Sequence, residues 1–422
     1  MLKAKHDVAV QIEKLIGDER RLLWGMLILA LLLRVGIVFV FPTHVVRADA
    51  DDYVLSAQRL LTGGGYACGD ESGLLVPPFY SIFLAGVFAL FGPSLFAVRF
   101  VQALLAVASY GLIYVIARGL FDRKVGLAAL FLSSFYPALI PWHGFILTET
   151  LYMFTVVLFF FFLYRLSQNL TWYDALLCGF SFGLTLLTRE ILLFFPILLV
   201  PVFFARVSWR KVIGQAALVL IGAWLVLAPW LWRNYQVTGQ IVYTSRVSYV
   251  LYNVTGRGYL SPGYAAAVAG ENPPPSEEKL VFLEKYGDVS ENLNLNFVLS
   301  HPGTFARRMF NRFIEYWFHP NGLWSLPEIY VVRALYVAGH AVLVLLAGLG
   351  IGVTCSEHKW SAWGLIAVLL YITGLNLTTY GPNPRYNLPF LPIVFIFTAR
   401  GALALIERFV SRGPVPAQRV ES

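Results

Sequence analysis

Charged side chains are scarce in this chain of 422 residues. Asp, Glu, Lys and Arg together make up 13%, about half the share usual in soluble globular proteins. Mean hydropathy is +0.67 and 58% of the residues are hydrophobic, a balance that excludes a water-soluble fold. Cysteine is rarer still: Cys68, Cys178 and Cys355 are odd in number and widely spaced, which excludes a disulfide framework and a zinc pattern. No small-residue cleavage site follows the first apolar run, so that run is read as a retained helix rather than a signal peptide.

What the sequence has instead is a series of long apolar runs, each near the roughly 20 residues that a membrane-crossing helix needs. They are Leu22 to Phe41, Ser94 to Ala117, Val125 to Trp142, Phe145 to Tyr164, Trp172 to Thr188, Ile191 to Ala205, Val212 to Trp232, Ala334 to Cys355, Trp360 to Tyr380 and Tyr386 to Ile406. Backbone amides in hydrocarbon must be satisfied within their own segment, so each run is expected to be helical. The reading is an all-α polytopic membrane protein, a helical bundle of about ten transmembrane helices with two large extracytoplasmic loops.

The formal net charge is +8, and it does not point to nucleic acid. Lys and Arg gather in the short connections at one side, around Arg20, Arg21, Arg118, Arg123, Lys124, Arg165, Arg206, Arg210, Lys211, Arg408 and Arg412, which marks that side as cytoplasmic. Residues 1–21 are then a cytoplasmic N-terminus. Residues 22–232 form a bundle that includes a first external loop at 42–93, and residues 233–332 form a second. The last part, 333–422, carries C-terminal helices and a short cytoplasmic tail. Pro77 to Phe91 is apolar but only 15 residues, about 22 Å of helix against a roughly 30 Å core. It is read as a re-entrant or surface-lying helix on the outer side.

A charge at the centre of a membrane helix costs about 2.5 to 3.5 kcal/mol on insertion scales. The charges next to these apolar runs are therefore informative, and most stand at external ends. Asp49, Asp51 and Asp52 open the first loop, followed by Tyr53; Glu149, Arg189, Arg233 and Arg385 sit at later helix ends. A carboxylate can take a proton from an acceptor hydroxyl while guanidinium groups hold a phosphate. Simpler roles stay open: the Asp cluster as a solvated surface, Glu149 as an ion-pair partner, the arginines as anchors that reach toward headgroups. Arg34, in the middle of the first run, needs a partner inside the bundle. His143, His301 and His319 are read as external, and no ligand spacing makes them a metal site.

Together these motifs resemble a known family, the polyprenyl-phosphate-dependent membrane glycosyltransferases of the GT-C fold. The likeness is to the bacterial family 39 type, related to protein O-mannosyltransferases and lipid A aminoarabinose transferases. It is carried by Asp49 with Tyr53 and Ala57, by Leu60 to Tyr66, Pro77-Pro78-Phe79-Tyr80, Tyr136-Pro137 and Leu147-Thr148-Glu149. Further along it is carried by Gly183 to Arg189, Pro229-Trp230 with Arg233-Asn234-Tyr235, and Arg385-Tyr386 before Pro389 and Pro392.

The resemblance implies transfer of one sugar from an undecaprenyl- or dolichyl-phosphate carrier to an external acceptor, a glycan, lipid or protein, with inversion at the anomeric carbon. It implies that Asp49 is the general base. Related enzymes often carry an Asp-Glu pair there, whereas this chain has Ala50; either Asp51 or Asp52 compensates or the second acid is dispensable. Glu149 matches a second acidic position, and Arg189 and Arg385 match positions near the carrier phosphate. Tyr53, Tyr80, His143, Arg233 and Tyr386 complete the candidate substrate-binding set. Some relatives use a divalent metal and others do not, and none is assigned to this chain. The expected location is a bacterial inner membrane with the site facing outward. A transporter or lipid flippase is the competing class, and a glycan polymerase or ligase on a related scaffold is the competing reaction.

Overall fold

In the computed structural model, residues 19–40, 48–69, 72–199, 208–245, 247, 295–319, 330–378 and 384–411 are described. Arg206, the C-terminal tail beyond 411 and much of the second external loop, with its prolines 273–275, lie outside them. Among the described residues there are helices and short 3₁₀ turns and no strand.

The helices, in chain order, are α1 (Glu19–Val40), α2 (Ala48–Leu61), α3 (Phe79–Phe91), α4 (Leu95–Leu120), α5 (Arg123–Phe135), α6 (Leu139–Trp142) and α7 (Glu149–Asn169). They continue as α8 (Trp172–Thr188), α9 (Trp209–Thr238), α10 (Leu295–Ser300), α11 (Pro302–Phe318), α12 (Tyr330–Ser356), α13 (Trp363–Thr378) and α14 (Leu391–Ser411). Seven described segments are long and apolar enough to cross a bilayer: α1, α4, α7, α9, α12, the α13 region and the α14 region. The protein is an integral membrane protein. The sequence count of about ten is not reached among the described residues: α5 has 13 residues, α8 has 17, and the run after Ile191 leaves the described region at residue 200.

Local chemistry sets the helix ends. Ser94 caps α4 by accepting from Ala97 N, Asp122 caps α5 from Lys124 N and Val125 N, and Thr171 caps α8 from Asp174 N, each satisfying otherwise orphaned amides. The run Val125 to Trp142 is not one helix. It breaks at Tyr136, whose φ of −64° and ψ of 122° are extended. The next residue is Pro137, and a residue before proline is driven out of the helical region.

The following run begins later than its apolar character suggests, because α7 starts only at Glu149. The turn before it is held by α4: Gln102 donates to the carbonyls of His143 and Phe145 at 2.6 and 2.9 Å, and Arg99 Nε donates to Gly144 at 2.8 Å. The first external segment is not irregular either. Residues 48–61 form α2, with Asp49 and Asp51 in its first turn, where the helix dipole favours acids.

The helices pack through small residues, as membrane helices do where apolar burial alone does not drive association. An added Cβ on Gly179 of α8 would overlap the Val219 carbonyl of α9, and one on Gly222 would overlap that of Leu176. The main core lies where α4, α5, α7 and α14 meet, around Tyr110, Tyr152, Phe160, Phe390 and Phe395. Arg34 is buried there. Its guanidinium donates to the carbonyls of Ala30 and Ser134 at 3.1 and 3.0 Å and to the Tyr110 hydroxyl at 2.9 Å, supplying the partners that its depth demands.

Chain alternation places two sets of helix ends at opposite poles. One pole carries Glu19 with Arg118 and Arg123 at 3.2 and 4.0 Å, and Arg165 with Asp174 at 2.8 Å. The same pole carries Glu357 with Lys359 at 3.6 Å. The other carries α2, α3, the start of α7 and the end of α8. The short helix α3, about 20 Å long at 1.5 Å per residue, lies at this second pole and packs through Tyr80, Leu84 and Phe88.

Candidate active site

Four charged residues far apart in sequence meet at this second pole. Glu149 stands in the first turn of α7, only 3% exposed. Its Oε1 accepts from Arg385 Nε and lies 3.4 Å from Arg189 Nη2. Arg385 sits in the 3₁₀ turn Pro384–Tyr386, and its Nη1 lies 3.2 Å from Asp49 Oδ2. One guanidinium thus bridges a buried carboxylate and an exposed one, since the Asp49 side chain is 60% accessible. Burial alone would lower the Arg385 pKa, and the adjacent Glu149 carboxylate more than offsets it, so the net shift is upward.

Arg189 caps the C-terminus of α8 in an extended conformation. Its Nε donates to Thr148 Oγ1 at 2.9 Å, and its guanidinium lies 5.4 Å from the centre of the Tyr386 ring. Tyr53 follows Asp49 by four residues, on the same side of α2. The Tyr53 ring in turn meets Tyr80 edge-on at 4.9 Å, and the Tyr80 hydroxyl donates to Gln102 at 2.8 Å. Asp49, Tyr53, Tyr80, Glu149, Arg189, Arg385 and Tyr386 therefore form one continuous group.

The remaining candidates fall elsewhere. Asp51 and Asp52 are exposed; at 100° per residue they turn away from the buried stripe Ala50, Tyr53 and Ala57, at whose edge Asp49 stands. His143 is not an external loop residue. It is 1% exposed and its Nε2 lies 2.9 Å from the Arg34 carbonyl, deep against α1. Arg233 does not join the carboxylates but holds the first loop: its Nη2 donates to the carbonyls of Tyr66 and Ser72 at 2.8 and 2.7 Å. Gly73, with φ of +62°, closes under that clamp, where a Cβ would stand 2.6 Å from the Tyr66 carbonyl and 3.0 Å from Arg233.

Sequence reasoning missed Thr148, Arg99 and Gln102. Arg99 and Gln102 are polar side chains inside an otherwise apolar helix, and that position is the signal that marks them.

No group of three His, Cys, Asp or Glu side chains able to hold a metal occurs among the described residues. The two carboxylates that do meet already face arginines, and no metal ligation follows from them. Chemically, the group offers an accessible carboxylate beside two oriented guanidiniums, a proton acceptor next to an anion cradle.

The whole bundle resembles solved structures. The Archaeoglobus fulgidus oligosaccharyltransferase in complex with zinc and sulfate superimposes with a TM-score of 0.57 at 15% identity, covering 92% of this chain and 50% of that one. The same archaeal enzyme with an inhibitory peptide and a dolichol-phosphate gives 0.54 at 16% identity, over 95% of this chain and 52% of that one. The chain has the GT-C fold.

Within that fold, residues 76–232 match the family model for dolichyl-phosphate-mannose-protein mannosyltransferases, a stretch that contains Glu149 and Arg189. An undecaprenyl phosphate-alpha-4-amino-4-deoxy-L-arabinose arabinosyl transferase of Pseudomonas aeruginosa is 27% identical over 235 residues, half of this chain. The match spans 40% of that relative's length. In these stretches the GT-C chain is similar to the O-mannosyltransferases and the aminoarabinose transferases.

Proposed function

We propose that the protein is an inverting glycosyltransferase that moves a single sugar from a polyprenyl-phosphate carrier to an acceptor hydroxyl, at the extracytoplasmic face of a bacterial inner membrane. The observation that carries this reading is the shared grip of Asp49 and Glu149 on Arg385, with Arg189 against the same Glu149 oxygen. Two facts support it. The matched curated relatives are named for an undecaprenyl-phosphate sugar, and one structural neighbour was solved with a dolichol-phosphate.

In this reading Asp49 is the general base. The acceptor oxygen attacks the anomeric carbon from the face opposite the phosphate, and its proton passes to the Asp49 carboxylate. The bond between that carbon and the phosphate oxygen breaks, and the carrier phosphate departs with the electron pair. Charge grows on the leaving phosphate, so guanidinium donors held in place by Glu149 and Thr148 stabilise the transition state more than the ground state. Tyr386, half-buried beside Arg189, offers an aromatic face to a sugar ring, and the buried Tyr53 and Tyr80 pack behind the site. Lys and Arg at the opposite pole support a cytoplasmic location for that pole, with the site directed outward.

In a strain lacking the protein, mass spectrometry of surface glycans and lipids is expected to show the loss of one sugar. The wild-type chain restores it, as do Asp51→Ala and Asp52→Ala, whereas Asp49→Asn at equal abundance lowers transfer by about 10²- to 10⁴-fold, the range for a lost general base. Full restoration by Asp49→Asn removes Asp49 from the mechanism.

A further inference from the structure

Behind the arginine side of Glu149 lies a second, separate feature. Glu149 Oε1 faces Arg189 and Arg385, but Oε2 is buried with no hydrogen-bond partner among the described residues. His143 Nδ1 is in the same condition. Both residues line one small cavity of about 10 Å³, walled by Ala106 of α4, Met153 of α7 and Leu388. That volume is about the room that a single water centre needs.

The chemistry of the rim defines what fits. A backbone carbonyl only accepts, so the His143 Nε2 that faces the Arg34 carbonyl at 2.9 Å carries the hydrogen. In the neutral imidazole the other nitrogen, Nδ1, is then a bare acceptor. Glu149 Oε2 is an acceptor as well, and the carbonyl of Ile140 near the same ring is a further one. Acceptors cannot satisfy each other, and a buried acceptor left unpaired costs about 1–3 kcal/mol. An occupant with two donor hydrogens solves both.

We propose that this cavity is a site for one ordered water, which donates one hydrogen to Glu149 Oε2 and the other to His143 Nδ1. His143 becomes a positioning residue: through the water it fixes the Glu149 carboxylate. The consequence reaches the arginines. A carboxylate has lone pairs enough to accept a guanidinium through both oxygens, and a Glu149 free to turn would take up N–H groups that a phosphate needs. With Oε2 held from behind, only Oε1 engages Arg189 and Arg385, and Glu149 draws off no further N–H groups of Arg189. The link to phosphate rests on the function proposed above; the water site does not.

Two measurements on the full chain in lipid nanodiscs test it. An experimental map at about 2 Å resolution or better is expected to show one density peak within hydrogen-bond distance of both His143 Nδ1 and Glu149 Oε2. No peak, in a map that resolves other buried waters, overturns the proposal, and so does a peak with the coordination of a metal ion. The second measurement is the binding of undecaprenyl phosphate. His143→Gln, which keeps a donor and an acceptor, is expected to stay within about threefold of wild type, while His143→Phe weakens binding at least tenfold. Equal affinity for wild type and His143→Phe overturns the positioning role, as does an equal loss in both variants. Should the wild type not bind undecaprenyl phosphate, the functional reading fails, and the density still decides the water.

Discussion

Glu149 is nearly inaccessible and shares one oxygen between two guanidiniums, so its contribution is to hold Arg189 and Arg385 rather than to meet solvent. Breaking a buried ion pair by removing one partner leaves uncompensated charge, at about 3–5 kcal/mol. Glu149→Ala is therefore expected to lower the thermal unfolding midpoint markedly, whereas Asp49→Asn, on an exposed partner of the same Arg385, leaves it within a degree or two; thermal melts in detergent read both. The two acids thus separate by assay, one in stability and one in turnover. Asp49, Glu149, Arg189 and Arg385 were candidates from sequence because each stands near the outer end of an apolar run, but each also had a bland role open to it, and only the fold shows that they meet. Arg233 has the same sequence signature and a different task, because only the fold shows the Tyr66 and Ser72 carbonyls waiting for it. His143 read as external because the break at Tyr136-Pro137 and the α4 side chains that hold its turn have no marker in its own neighbourhood.

At the scale of elements, the phase of α2 turns Ala50, Tyr53 and Ala57 to the protein, with Asp49 at the edge of that face and Asp51 and Asp52 farther from it. The apolar spacing Ala50, Tyr53, Ala57 carries a helical period, yet beside four closely spaced polar residues and a glycine-rich stretch it read as loop. Long helices such as α1 and α4 were visible directly, since a run of apolar residues in lipid has almost no alternative to a helix. The contact between α8 and α9 was less so, because glycines in a membrane helix occur for several reasons. Gly222→Leu is expected to reduce the yield of folded protein and lower its thermal midpoint, since the added side chain enters the α8 backbone. Gly214→Leu on the same helix meets open space and is expected to be neutral. Size-exclusion profiles and thermal melts of the two variants check this.

For the whole molecule, the two poles differ in kind. The pole with Glu19, Arg118, Arg123, Arg165 and Lys359 is a belt of paired charges, while at the other Asp49, Glu149, Arg189 and Arg385 converge in one cluster. That asymmetry favours an enzyme over a carrier that alternates about a central site, where polar groups stand near mid-membrane. The proposed orientation rests on the basic belt and is open to direct measurement. In sealed cells of a variant stripped of its native cysteines, a membrane-impermeant maleimide is expected to label Leu61→Cys, at the end of α2, and to spare Gln168→Cys, at the far end of α7. Labelling of Gln168→Cys alone inverts the topology and with it the side on which a carrier must present its sugar.

The Arg233 clamp has a mechanical consequence. Four residues before it, Pro229 lies inside α9, where a missing amide hydrogen makes the helix easiest to bend. Beyond the clamp, Ser245 N donates to the Leu74 carbonyl at 2.9 Å, so the stretch from Tyr66 to Leu74 is tied to the chain at two points past that joint. A tilt of the last turns of α9 cannot occur alone. It carries this stretch with it as the arm of a lever.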